Sequence, residues 1–394
     1  MTPRARAQIL MLAVLRLVLN TGYRMVYPFL PVFARGLGVE LGAVSLIISV
    51  RSLIGALGPF LGTIADSRGR KTGMLAGVVL FTLGTFVVAV WPALLPFALA
   101  LILITLGKAI FDPSMHAYVG DIVPYQARGG AIAIIEMSWS ISFILGIPFM
   151  GYLIDRNGWQ SPFTVLGFLG LLTLLILARY LPGRLLTAAD QPGNKKPFWH
   201  HLQVVFTNRL ALLGIAFSVL TAASNESINV IFGVWIEASF GLQLAALGAA
   251  SAVIGFSELA GESLAGLITD RLGKMRAITA GVLLNCLAAV LLPVLGGSLA
   301  GALAGLFFFY ITFEFTLVST LPVMTEILPS ARATLLAAGI GAFSLGRAIG
   351  AALAVPLFAA GFWANSTMSV TLNLLALLVL VQLGRALQTN SAAA

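Results

Sequence analysis

Runs of about 20 or more apolar residues return along the whole of this chain, separated mostly by short Gly-, Pro- or charge-containing turns. At 1.5 Å per residue, about 20 residues of helix reach across the ~30 Å hydrocarbon layer of a bilayer. A chain crossing that layer must pair its backbone polar groups internally, so it crosses as helices or as a closed barrel. The runs far exceed the ~9–11 residues of a barrel strand, which leaves helices. Twelve are predicted, at about 8–34, 41–65, 72–91, 94–119, 130–154, 162–182, 208–238, 243–269, 276–295, 298–324, 334–361 and 366–386. Composition agrees: 59% of residues are apolar and 9% charged, whereas soluble domains carry about 25% charged residues. A water-soluble enzyme, a nucleic-acid-binding protein and a disordered chain are thereby excluded. One cysteine, Cys286, provides no disulfide framework or cysteine metal site, and the three histidines show no HExxH spacing. No cofactor or metal is expected.

Arg4 and Arg6 precede the first run as they would in a secretory leader. Arg16 interrupts that run and no small-x-small cleavage site follows, so it reads as a retained first span. The polar stretch from Pro182 to Phe206 divides the chain into six spans and six. It predicts an N-terminal bundle over 1–182, a cytoplasmic linker over 183–206 and a C-terminal bundle over 207–394. With both termini cytoplasmic, sixteen Lys and Arg fall on the inner side, two on the outer turns (Arg35 and Arg156) and five within spans. The positive-inside rule therefore predicts cytoplasmic termini, in a cell (inner) membrane.

The inner turn after span 2 reads GTIADSRGRK (Gly62–Lys71), and that after span 8 reads GLITDRLGKMR (Gly266–Arg276). Asp121, Pro124 and Arg128 after span 4 are echoed by Glu326, Pro329 and Arg332 after span 10. The same turn chemistry in both halves predicts a duplicated fold of two parallel six-helix repeats. On Gly62, Asp66, Arg68, Gly69, Arg70 and Lys71, with their degenerate copy at Asp270 and Arg271, the chain resembles the major facilitator superfamily, and within it the twelve-span drug:proton antiporters. The resemblance implies an all-α membrane fold of twelve helices in two six-helix pseudo-repeats. It also implies that the two turns act as a conformational latch. Two departures are visible. Gly146-Ile-Pro148-Phe-Met-Gly151 only approximates the antiporters' span-5 motif, and Leu103 stands where they carry an arginine, the nearest cation being Lys108.

A charge at the bilayer centre costs at least ~2.5–3.5 kcal/mol on insertion scales, so each one within a span needs a reason. They are Arg16, Arg24, Arg51, Lys108, Asp112, Glu136, Glu226, Glu258, Glu262, Glu314 and Arg347. Spans 3, 6, 9 and 12 carry none away from their ends, as expected of apolar helices that face lipid while the others surround a watered cavity. Arg16, Asn20 and Arg24 share one helix face, and Lys108 with Asp112 forms an i, i+4 ion pair. Glu258 with Glu262 is a like-charge pair whose members cannot both be ionised cheaply in a low dielectric. His116 reads as structural or solvated. The first half carries an excess of cations and the second an excess of carboxylates.

This division predicts a proton-coupled secondary transporter, an efflux antiporter for small amphiphilic or lipophilic molecules that works by alternating access. No nucleotide-binding motif is present, so an ion gradient rather than ATP is expected to supply the energy; a proton gradient is the expected one, and buried carboxylates would serve sodium equally. The expected proton carriers are Glu226 and Glu314, with Glu258, Glu262 and Asp112. Expected substrate contacts are Asn20, Tyr23, Arg24, Tyr27, Arg51, Lys108, Glu136, Trp139, Asn225, Asn229 and Arg347. A flippase or exporter of an anionic lipid or glycolipid, and a proton-linked organic-anion transporter, are the alternatives. No GxSxG, HExxH or His-rich cluster supports an enzyme. The expected partners are the substrate and membrane lipids, with no nucleic acid, and the expected state is a monomer.

Overall fold

A computed structural model describes residues 3–58, 69–124, 127–181, 198–328 and 332–392. The described elements are helices. They run α1 (Pro3–Arg24), α2 (Leu30–Leu37), α3 (Leu41–Gly55), α4 (Arg70–Val90), α5 (Leu94–Ile122), α6 (Arg128–Ile141), a π-helical turn (Ser142–Gly146), α7 (Ile147–Asn157) and α8 (Ser161–Tyr180). Then follow α9 (Phe198–Thr207), α10 (Arg209–Asn229), α11 (Phe232–Phe240), α12 (Leu244–Leu272), α13 (Lys274–Leu295), α14 (Leu299–Ile327), α15 (Arg332–Ala359) and α16 (Phe362–Ala392). Among the described residues, eleven segments are long and apolar enough to cross a bilayer, counting Arg128–Asn157 and Arg209–Phe240 as one each. Taking α2 with α3, which meet at 114°, brings the number to twelve.

The chain forms two compact units. One comprises Met1–Pro192 with Gly241–Gly255, the other Gly193–Phe240 with Phe256–Ala394. The first expected span is broken at 25–29, between α1 and α2, and the seventh at 230–231, between α10 and α11. The end of the expected linker is itself helical, as α9. Duplication shows in the backbone too. The positive-φ glycines among the described residues pair as 38 with 241, 69 with 273 and 158 with 361, separations of 203, 204 and 203. At each the chain leaves or enters a helix through a positive-φ conformation that glycine adopts without the steric penalty of a Cβ.

Within each unit, close backbone approach sets the packing. A Cβ on Gly77 of α4 would stand 2.5 Å from the Gly107 carbonyl oxygen of α5, and the reverse holds equally. In the second unit, a Cβ on Gly350 of α15 would lie 2.6 Å from the Ala223 carbonyl oxygen and 2.8 Å from the Glu226 Cβ. Small residues at such crossings let helices associate where no hydrophobic force separates them from lipid. Hydroxyls within the spans turn back on their own helix: Thr105, Ser114, Thr221 and Thr316 each donate to the carbonyl four residues earlier. Leu95, Phe168, Leu175 and Ile340 point outward and are more than 60% exposed, as lipid contact requires. Spans 9 and 12, however, are not apolar throughout. Asn373 Nδ2 donates to Asn285 Oδ1 at 2.8 Å, and Asn285 donates to the Phe309 carbonyl and to Thr312 Oγ1. Asparagine carries no charge, so a count of ionisable residues passes over it.

Candidate functional site

The first unit holds a chain of charges that alternate in sign. Arg16 of α1 is buried, and its Nε donates to Asp112 Oδ1 of α5 at 3.2 Å. Its Nη1 lies 2.9 Å from Glu136 Oε2 of α6 and donates to the Ile135 carbonyl at 3.1 Å. Lys108, one turn before Asp112, donates from Nζ to Asp112 Oδ2 and to Asn20 Oδ1, each at 2.6 Å. Asn20 Nδ2 in turn donates to Ser138 Oγ at 3.2 Å. The other Glu136 oxygen, Oε1, is 2.9 Å from His116 Nε2. Reading along the contacts gives Lys108, Asp112, Arg16 and Glu136 in alternating sign, with the His116 ring at the end of the chain. Desolvating one charge costs several kcal/mol, and alternation lets each ion stand in for the water its neighbours lost.

Two further cations of this unit are held by rings. Arg24 Nη1 donates to the Trp139 carbonyl at 2.9 Å, and its guanidinium carbon lies 4.1 Å from the Trp139 ring and 3.9 Å from the Phe143 ring. The π-helical turn at Ser142–Gly146 adjoins this contact. Ile147 N–H there reaches back five residues to the Ser142 carbonyl, and Ser142 Oγ donates to the Trp139 carbonyl at 2.6 Å. Such turns shift helix register by one residue and concentrate at functional sites. Arg51 of α3 is fully buried, and its Nη1 donates to the Tyr23 carbonyl at 2.9 Å. Its guanidinium carbon lies 4.4 Å from the Tyr23 ring and 5.2 Å from the Tyr27 ring.

In the second unit, Glu226 of α10 is 1% exposed and accepts two bonds at Oε2, from Arg347 Nε of α15 and from Asn229 Nδ2, both at 3.1 Å. Tyr310 OH of α14 donates to Asn229 Oδ1 at 2.9 Å. Glu258 and Glu314 are buried as well, and Glu262 is partly buried. Glu314 packs against α12, its Cβ 2.9 Å from where a Cβ on Gly261 would stand. Asn225 is buried, with no partner for its amide nitrogen among the described residues. Trp235 stacks flat on Phe362, with centroids 4.2 Å apart, and so serves packing.

Gly62, Asp66 and Arg68 of the expected latch lie outside the described residues. The remainder of that turn binds the ends of its own unit's helices. Gly69 precedes α4 with φ of +93°. Arg70 Nε donates to Asp121 Oδ2 at 3.4 Å, and Lys71 Nζ donates to the Ala178 and Leu181 carbonyls, each at 2.7 Å. A cation on the last carbonyls of α8 suits that helix's dipole. In the second unit Lys274, after Gly273 (φ +82°), donates to Glu326, while Asp270 and Arg271 are exposed. The duplicated turns therefore make duplicated ion pairs, Arg70 with Asp121 and Lys274 with Glu326.

Four partners were not among the expected site residues: His116, Ser138, Phe143 and Tyr310. Three have a periodic signal. His116 and Phe143 lie one turn beyond Asp112 and Trp139, and Tyr310 one turn before Glu314.

The family model of the major facilitator superfamily matches residues 12–355. The MFS-type transporter YceJ of Bacillus subtilis is 27% identical over 340 residues, 86% of this chain and 85% of that one. The quinolone resistance protein NorA of Staphylococcus aureus is 26% identical over 156 residues, 39% of this chain and 40% of its own. Among solved structures, a bacterial homologue of the human lysosomal transporter Spinster, inward-facing and occupied, superposes with a TM-score of 0.78 at 15% identity, covering 98% of each chain. A peptide transporter bound to alafosfalin gives 0.74 at 16% identity, over 96% of this chain and 94% of that one. A helical fold of eleven to twelve candidate spans in which the family model covers most of the sequence makes this chain a member of the major facilitator superfamily of membrane transporters.

Proposed function

We propose that the chain is a proton-coupled efflux antiporter for small amphiphilic molecules, working by alternating access. The observation that carries this reading is Glu226, a carboxylate 1% exposed within a span and held by a cation it would release on taking up a proton, Arg347. Intramembrane carboxylates kept at such cost mark proton relays and ion pathways. Glu314, Glu258 and Glu262 are further carriers in the same unit, and Asp112 is one in the other. The aromatic and amide groups at Tyr23, Tyr27, Trp139, Asn225 and Asn229, with Asn20, Arg24, Arg51, Lys108, Glu136 and Arg347, contact the substrate. Export is favoured over uptake by the partial likeness to a quinolone resistance protein. Both termini face the cytoplasm of the cell membrane in this reading, because inner segments carry sixteen Lys and Arg against two on the outer turns. A monomer needs no cofactor beyond the gradient.

Everted vesicles with an acid interior test this. Lipophilic cations such as tetraphenylphosphonium, and amphiphilic carboxylates, are added in turn, and proton release is followed by a fluorescent pH dye. The expected result is substrate-dependent alkalinisation that Glu226→Gln abolishes while substrate binding stays measurable. Full coupled transport by that variant would refute the role of Glu226, and flux independent of the gradient would refute antiport.

A further inference from the structure

Arg51 is the one charged side chain with no exposure at all among the described residues, and it is also the one left with open valences. Its Nη1 is used by the Tyr23 carbonyl, but among the described residues Nε and Nη2 have no hydrogen-bond partner and no carboxylate forms an ion pair with it. The other cations of the unit's interior are served differently. Arg16 and Lys108 have carboxylates, and Arg24 has the Trp139 carbonyl. Buried donors in folded proteins are almost always satisfied, so two on one guanidinium call for an explanation. The Tyr23 and Tyr27 rings hold the group through their faces, which steadies a cation without accepting its N–H bonds in the guanidinium plane.

The two open atoms are not an arbitrary pair. Nε–H and the adjacent Nη2–H leave the guanidinium side by side and parallel, the fork that matches both oxygens of a carboxylate, phosphate or sulfonate. The chain thus spends the third nitrogen on its own backbone and leaves the oxyanion-binding edge free. We propose that Arg51, braced by Tyr23 and Tyr27, is the receptor for a bidentate oxyanion carried by the transported amphiphile. This rests on the transport reading above and narrows its substrate to acidic amphiphiles.

Binding separates the two ideas because it needs no gradient. The full chain in maltoside micelles is titrated calorimetrically with decyl phosphate, decanoate, methyl decanoate and decyltrimethylammonium, four probes that share a tail. We expect the two anions to bind at least about 10-fold more tightly than the other two. Arg51→Gln should erase the preference, and Arg51→Lys, which keeps the charge without the fork, should reduce it several-fold. Equal affinity for all four head groups, or a preference unchanged in Arg51→Gln, would overturn the proposal. Should Arg51→Gln fail to fold, the unmodified chain and Arg51→Lys still decide. Repeating the decyl phosphate titration in nanodiscs of phosphatidylglycerol and of phosphatidylcholine identifies the source of the oxyanion. Competition by the anionic lipid that depends on Arg51 assigns a lipid headgroup, and its absence assigns a free amphiphile; either supports the fork. A head-group preference without pH-driven flux would refute antiport alone, and flux without the preference would refute the fork alone.

Discussion

Replacing Asp112 by asparagine removes one carboxylate from between two cations. Lys108 Nζ lies 2.6 Å from one of its oxygens and Arg16 Nε 3.2 Å from the other. At an effective dielectric of about 20, Coulomb's law gives ~6 kcal/mol of attraction for the first contact and ~5 kcal/mol for the second. Desolvation of the ions takes back most of this, so the measurable quantity is the cost of breaking the set, about 3–5 kcal/mol where a buried partner is removed. The Asp112 side chain is 21% exposed, which points to the lower end, about 3 kcal/mol. Lys108→Met should cost less, because Asp112 keeps Arg16 and Arg16 keeps Glu136. In the double variant the surviving Arg16–Glu136 pair is balanced, so the two losses should fall short of additivity by about 1.5–3 kcal/mol. Reversible unfolding in mixed maltoside and dodecyl sulfate micelles, followed by tryptophan fluorescence, measures all four corners of the cycle. Additivity within about 0.5 kcal/mol would show that the charges do not act as a unit.

Gly77→Ala should lower stability by about 1–3 kcal/mol, since the new methyl would meet the Gly107 carbonyl oxygen at 2.5 Å and backbone cannot swing aside. Gly120→Ala, on the same pair of helices but facing open space, should be neutral or stabilising, by up to about 1 kcal/mol; thermal denaturation of the purified chain compares the two. At the turn after span 8, the Lys274–Glu326 pair is largely solvated, with the glutamate side chain 59% exposed. Lys274→Met should therefore change stability by less than about 1 kcal/mol, and a larger loss in the same assay would show that the turn does more than solvated pairing.

Much of the fold was legible because a membrane makes local properties decisive. The apolar length of a segment governs whether it can cross. The repeated turn chemistry foretold the duplication that the paired glycines at 38 and 241, 69 and 273, and 158 and 361 carry in the backbone. Lys108 with Asp112 was legible too, because four residues on a helix bring two side chains together whatever surrounds them. The break at 230–231 was not, since Val230 and Ile231 continue the apolar run, and that at 25–29 holds a helix-breaking Pro28 that a count of apolar length passes over. Nor were Asn285 and Asn373, whose polarity is spent on each other across two helices counted as apolar.

The sequence by itself determined about how many segments are apolar and long enough to cross a bilayer, where the basic residues lie along the chain, and that the two halves share one plan, because each is a property of a segment or of its copy. Only the tertiary structure decided which charge neutralises which. Arg16 reaches Asp112 and Glu136, far along the chain, while Arg51 meets rings and a carbonyl but, among the described residues, no acid. The reason is geometric. One residue of helix turns a side chain by about 100° and shifts it by 1.5 Å, so a partner is chosen by how neighbouring helices seat against each other. That seating is set by contacts such as Gly77 on Gly107 and Gly350 on Ala223, which no single segment encodes.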